Sequence, residues 1–413
     1  MRKGPLRERS FRLLFAGRAI SSFGDRLVPV ALAFAVLSLG TATDLGIVLA
    51  AQSVPLVLLV LLGGVWADRL PRQLVMLTAD VVRFAAQGLS AALILGGHAQ
   101  IWQLAILQAF YGAAEGFFIP AANGLVPQVV AGEDLQQANA LMGLSENATS
   151  ILGPAVAGVI VVGIGAGWGL AVDAATFILS AAFLAGLRIE RPVAAARART
   201  TSMLSELRAG WHAFSSRRWL LITVGYFTIA FLFCFSALKV LGPDVALKSL
   251  GGAGAWAAIS AVTGVGAVLG GVLSLRWTPR YPLRAGFVTT LLGGPMLLLL
   301  LAALAPLWLV LIAALIEGVA GTLFNAMWFT AMQQGVPAEE ISRVTSWDAV
   351  GSYALQPIGL AIAGPIAAAV GLSTALYGAG AIFMLITIAV LAVPSVRNFT
   401  GGPARDPALP TAP

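Results

Sequence analysis

The chain has 413 residues, of which 59% are hydrophobic and 10% charged, with a formal net charge of +7 and one cysteine, Cys234. A soluble domain carries about 25% charged residues, so a soluble fold is excluded; continuous apolar runs such as 56–62, 297–303 and 381–393 exclude the period-two pattern of a membrane barrel. One cysteine excludes an internal disulfide, and two distant histidines, His98 and His212, exclude a histidine-based metal cluster.

In chain order, breaks at Gly, Pro and charged residues predict twelve spans near residues 12–39, 45–67, 73–96, 101–130, 135–163, 167–187, 218–247, 253–275, 284–304, 307–335, 340–369 and 372–393. Several exceed the ~20 residues needed to cross a bilayer, so tilt is expected. The basic N-terminus resembles a signal peptide, but Arg18 and Asp25 interrupt the apolar run, which predicts a retained first span. Lys and Arg gather in the loops of one side, while the opposite loops around 40–44, 96–100, 163–167, 305–306 and 370–372 hold none. That asymmetry predicts cytoplasmic termini and accounts for the net charge without nucleic acid.

Between spans two and three the chain reads GVWADRLPR, Gly64–Arg72. A charged turn there reads as a latch at the membrane face. Gly64 permits close helix approach, Asp68 pairs with an arginine, and Arg69 and Arg72 face anionic lipid or the acidic pair Glu133/Asp134. Span three carries Asp80 and Arg83 at i,i+3, read as a packing pair or a partner of the latch in a lipid-side span near the cytoplasm. Span five carries LGPAVAG, in which Gly153, Pro154 and Gly158 predict a bend because proline frees a backbone carbonyl. Asp173 is expected to bond a neighbouring span.

The longest polar stretch, 188–218, sits near the middle of the chain. Met203, Leu204, Leu207, Trp211 and Phe214 share one face of its last part, which predicts a helix lying on the inner membrane surface. Lys239, Asp244 and Lys248 read as an outer gate on span seven. Asn325, Trp328 and Phe329 read either as packing or as lining of a substrate path. Residues 400–413 read as a Pro-rich disordered tail.

The halves repeat. Glu115-Gly116 returns as Glu317-Gly318, 202 positions on; the acidic pair Glu133-Asp134 returns as Glu339-Glu340, 206 positions on. Each acidic pair precedes a helix with Pro and Gly deep inside it: Pro154 and Gly158, then Pro357 and Gly364. The organisation that follows is a six-helix bundle over 1–187, a cytoplasmic linker with an interfacial helix over 188–217, a second six-helix bundle over 218–396 and a tail over 397–413. A six-plus-six parallel repeat places a substrate site between the halves at the membrane midplane.

From Phe11 to about Val393 the chain resembles a major facilitator superfamily transporter, of the branch that includes macrolide efflux pumps and the enterobactin exporter. Four features carry the resemblance: GRAISSFGD at Gly17–Asp25, the G-x-x-x-D-R-x-x-R loop at Gly64, Asp68, Arg69 and Arg72, the pair Asp80/Arg83, and the run from Pro127 to Ala138–Leu141. The family's usual Gly in the loop is Pro71 and a usual basic residue is Gln73; the matching turn of the second half has Leu275 for the Asp, so the latch is one-sided. LGPAVAG resembles the antiporter-type G-P-x-x-G-G signature, with Ala157 for one Gly, and this favours efflux. The resemblance implies an all-α fold of about twelve transmembrane helices in two bundles related by a pseudo-two-fold, with spans one, four, seven and ten lining the cavity.

Ionisable residues inside spans cost about 2.5–3.5 kcal/mol each at a helix centre, so each needs a partner or a purpose. At ~1.5 Å per residue, Asp25 lies ~20 Å into span one, Glu115 ~21 Å into span four, Glu317 ~15 Å into span ten and Glu146 ~18 Å into span five. These four and Arg26 are the candidates for proton coupling or substrate contact; the plainer reading is a neutralising pair such as Asp25 with Arg26 or Arg18. Many proton-driven drug exporters have an arginine where Gln108 stands, four residues before Gly112, so tuning of a proton site would fall to Arg18 or Arg26.

The reading that follows is a non-enzymatic, monomeric secondary transporter of a bacterial plasma membrane. It exports an amphipathic small molecule (drug, antibiotic, siderophore or other secondary metabolite) against protons, by alternating access. Its partners are the lipid bilayer, the substrate and protons, with no cofactor, metal or nucleic acid. The alternative on the same fold is a lipid or lysophospholipid translocator, or a facilitator. An intramembrane enzyme finds no Asp-rich motif and no Ser-His or Ser-Lys dyad, and direct ATP drive finds no phosphate loop.

Overall fold

The computed structural model describes residues 4–67, 70–187 and 203–400, which are helical with short connections and contain no strand. The first six helices are α1 (Arg9–Leu39), α2 (Ala42–Ala67), α3 (Arg72–Leu95), α4 (Ile101–Val129), α5 (Leu135–Gly163) and α6 (Ala166–Ala185). A short helix, α7 (Met203–Ser215), precedes α8 (Arg218–Leu250), α9 (Ala253–Ser274), α10 (Pro282–Ala302), α11 (Leu307–Gly335), α12 (Ala338–Tyr353), α13 (Gln356–Val370) and α14 (Leu372–Ala392). Twelve crossings are long and apolar enough to span a membrane, with α12 and α13 sharing one. Their positions follow the predicted spans, because Gly, Pro and charged residues are where an apolar helix can end in water.

Two predicted spans are less regular than the pattern implies. Span eleven is interrupted at Ala354–Leu355, just before Pro357, whose ring nitrogen cannot donate to the preceding turn. Helix α8 runs through two π segments, Ala230–Phe235 and Ala246–Leu250, which change the rotational phase of the side chains beyond them.

The halves are built alike. In the first, α4 packs on α2 and α3, and α6 on α1 and α3; in the second, α11 packs on α9 and α10, and α14 on α8 and α10. Helices α6 and α14 each begin after a glycine with positive φ, Gly165 at 104° and Gly371 at 91°. A side chain would be strained at either, and the two lie 206 positions apart, the spacing of the acidic pairs. The halves meet along α5 with α9 and along α2 with α13.

Helix α7 belongs to the second half. Trp211 meets Trp347 of α12 edge-on at 5.0 Å, Phe214 is buried, and Arg217 pairs with Glu340 at 2.8 Å. The predicted interfacial helix is therefore anchored on protein through its last turns; the side chains of Met203, Leu204 and Leu207 lie outside the described residues, as do the linker before them and residues 401–413, whereas the start of the predicted tail is structured: Arg397 ends a short helix and Phe399 packs on Trp219 at 4.7 Å.

Inside each half, helices approach at glycine. A Cβ at Gly318 of α11 would overlap the Thr263 carbonyl of α9, whereas one at Gly321 would meet open space. Membrane helices gain stability from close backbone contact rather than from the hydrophobic effect. Gly318→Ala should therefore lower stability by about 1–3 kcal/mol, as over-packing does, and Gly321→Ala should not. Thermal unfolding of the two variants in one detergent checks this; equal unfolding temperatures would remove the close contact.

Candidate transport site

Two cavities of about 520 Å³ each lie at comparable places in the two halves. The cavity of the first half is charged. Arg18, Asp25 and Arg26 of α1, Arg83 of α3, Glu115 of α4 and Glu146 of α5 line it. Asp25, Glu115 and Glu146 thus reach one space from three helices.

At its back stands Arg83, only 1% exposed. Its guanidinium pairs with Asp80 one turn earlier and lies 3.6 Å from Asp25 Oδ1. Its guanidinium carbon lies over the rings of Phe118 and Phe177, 4.0 and 4.3 Å from the two ring centres. Tyr111 Oη donates to Asp25 Oδ1 at 2.5 Å. Deeper still, Gln108 Nε2 donates to Gln87 Oε1 at 3.1 Å, and the fully buried Asp173 carboxyl packs against Gly24 of α1. Ring faces add cation–π attraction for a guanidinium, whereas neither carboxyl oxygen of Asp173, expected to bond a neighbouring span, accepts a hydrogen bond among the described residues.

Several expectations are corrected here. The partner of Asp25 is Arg83, not Arg26 or Arg18; Arg18 instead pairs with Glu146 at 3.2 Å. Asp80 and Arg83 are not a lipid-side pair: both are buried in the first half. Their depth was readable. Arg83 lies ~16 Å into α3 at ~1.5 Å per residue, the same depth as the acidic candidates. Tyr111 carried no such signal, because a phenol between apolar residues reads as packing.

The other predicted residues fall in different places. Gly64 closes α2, and Asp68 and Arg69 lie outside the described residues. Arg72 donates to the Gly124 carbonyl of α4 and so ties the start of α3 to α4. Helix α5 continues through Pro154; Gly153 packs on Arg26 of α1 and Gly158 on Ala257 of α9, so the motif forms a seam to two neighbours. Asp244 pairs with Lys248 at 2.8 Å. Lys239 lies on α8, in the opposite half from Glu115.

The cavity of the second half is aromatic. Phe227, Phe231 and Phe235 of α8, Trp328 and Phe329 of α11 and Tyr353 of α12 line it, and Asn325 joins them. Glu317 and Asp348 are its two carboxyls. Asp348 accepts from Trp328 Nε1 at 3.2 Å and from Ser352 Oγ at 3.3 Å. The Glu317 carboxyl packs against Gly293 of α10 and has no ion-pair partner among the described residues. Among those residues no cluster of His, Cys, Asp and Glu could hold a metal ion.

Comparison with known proteins places this architecture. The chain is 25% identical over 421 residues to the multidrug efflux pump Tap of Mycobacterium tuberculosis, covering 96% of each. It is 20% identical over 404 residues to macrolide efflux protein A of Streptococcus pyogenes, covering 94% of this chain and 96% of that one. The crystal structure of the nucleoside transporter NupG has the same fold, with a TM-score of 0.75 at 14% identity over 92% of this chain and 98% of that one. Residues 14–356, from the first span into the eleventh, match the Major Facilitator Superfamily, and the chain belongs to that family.

Proposed function

We propose that this transporter exports an amphipathic small molecule in exchange for protons, by alternating access, across a bacterial plasma membrane with both termini in the cytoplasm. One observation carries the reading: a charged cavity and an aromatic cavity at comparable places in the two halves. An amphipathic molecule presents an apolar body and a polar end, and such a pair of surfaces can hold both. Export is supported by similarity to two efflux proteins over nearly the whole chain. Asp25 and Glu115 are the proposed proton-exchanging groups of the first half and Glu317 that of the second, with Arg26 and Glu146 at the cavity wall. Gly64, Asp68, Arg69 and Arg72 are the proposed latch of the cytoplasmic gate, and Gly153, Pro154 and Gly158 the flexible seam.

The test is purified protein in liposomes carrying an imposed pH gradient. A lipophilic fluorescent drug should accumulate against its concentration difference while the gradient lasts, and leak back when a protonophore collapses it. Accumulation unchanged by the protonophore would remove proton coupling. Movement of a labelled lysolipid but no drug would favour the lipid-translocating alternative.

A further inference from the structure

We propose that the cavity of the second half is a binding site for organic cations, with Asp348 and Glu317 as two successive counter-charges. The proposal takes its physiological meaning from the exporter reading, because it names the charge of the cargo. Its physical basis is separate from that reading.

The cavity is lined by seven aromatic rings and two carboxyls, and no lysine, arginine or histidine lines it. Aromatic faces carry negative charge, so a ring wall attracts a cation and is indifferent or adverse to an anion. Five of the rings are in contact: Phe231 lies 4.3 Å from Tyr353, 4.9 Å from Phe235 and 6.1 Å from Phe227, which lies 5.0 Å from Phe324, centre to centre. A flat or bulky apolar body fits such a wall, and the carboxyls supply its counter-charge.

The carboxyls lining the two cavities differ in what neutralises them. In the first, Asp25 and Glu146 each have an arginine within 4.0 Å and Glu115 does not. In the second half Glu317 and Asp348 have no cationic partner among the described residues. A carboxylate inside a membrane protein is costly without a partner, and a cationic ligand would provide one.

The two carboxyls are not one site. Asp348 is fastened to Trp328, which lies eleven residues after Glu317 on α11. At ~1.5 Å per residue that separates the stations by roughly 16 Å along the helix. Asp348 lies toward the end with the basic loops and Glu317 lies deeper. A cation entering from the basic side would meet Asp348 first and Glu317 second, with the ring wall between them.

The experiment measures binding with no gradient, using full-length protein in nanodiscs and protein-free nanodiscs to subtract partition into lipid. Two probes with the same four phenyl rings and opposite charge are compared, tetraphenylphosphonium and tetraphenylborate. Tetraphenylphosphonium should bind saturably, at least about tenfold tighter than tetraphenylborate, a difference of about 1.4 kcal/mol. Glu317→Gln should remove most of that preference, Asp348→Asn should weaken it, and Glu317→Asp, which keeps the charge, should retain it. Equal binding of the two probes would overturn the proposal, as would a preference unchanged in both neutralised variants. Should Glu317→Gln fail to fold, the comparison of Glu317→Asp with Asp348→Asn decides, since a charge site requires the first to bind better. Cation binding without gradient-driven accumulation would leave this site standing and sink the exporter reading; drug accumulation without cation selectivity would do the reverse.

Discussion

Replacing Arg83 with methionine should remove most of the folded protein from the membrane. Asp80 is fully buried beside this guanidinium, and Asp25 lies 3.6 Å from it. Taking one partner from a buried ion pair costs about 3–5 kcal/mol, because the remaining charge is stranded. Arg83→Lys should recover only part of the loss. An ammonium is a compact point charge and cannot reach Asp80, Asp25 and the faces of Phe118 and Phe177 together as the planar guanidinium does. The double change Arg83→Met with Asp80→Asn should unfold at a higher temperature than Arg83→Met alone, since it strands one charge fewer. Detergent thermal unfolding and membrane yield read all three; a single methionine variant as stable as the unmodified protein would show that the cluster does not hold the first half together.

Neutralising the proton carrier should separate uphill transport from exchange. Glu115→Gln is the leading variant. Glu115 reaches the charged cavity and has no arginine at ion-pair distance among the described residues. In liposomes, gradient-driven accumulation should vanish while exchange of labelled for unlabelled drug continues. Asp25→Asn should show the same split at some cost in stability, because it also frees Tyr111 and one side of Arg83. If Glu115→Gln, Asp25→Asn and Glu317→Gln all still accumulate drug uphill, the protein is not driven through these carboxyls.

The twelve crossings were legible because membrane helices obey a simple rule: every backbone group is satisfied within its own segment, so apolar length alone marks a span. The repeat was legible too, through Glu115 and Glu317 and through the acidic pairs. Finer features were not. The break at Ala354–Leu355 sits inside an apolar run, and Pro357 alone does not distinguish a break from a bend, since Pro154 leaves α5 continuous. Nor could spacing along one helix say which charges meet. Arg83 was visible as a residue, yet its meeting with Asp25 depends on how α1 and α3 are turned about their axes. The aromatic cavity fared similarly. Trp328 and Phe329 repeat at helical spacing whether they face a neighbour or a cavity, and only the partners from α8 and α12 decide between these.

The seam between the halves is made of small side chains. A Cβ at Gly158 would collide with Ala257, one at Gly364 with the Thr43 backbone, and one at Gly46 with the Leu360 carbonyl. Among the described residues no ion pair crosses from one half to the other. Lipid tails are as apolar as the surfaces they would replace, so parting such a seam exchanges one set of dispersion contacts for another of similar depth. Along this part of the joint, which does not include the proposed charged latch, the two states are therefore close in energy and little affected by salt. What tips it must come from outside the seam: bilayer thickness, lateral tension, or the occupancy of the two cavities. Thinner or thicker host membranes should then shift the balance of open and shut forms more than ionic strength does.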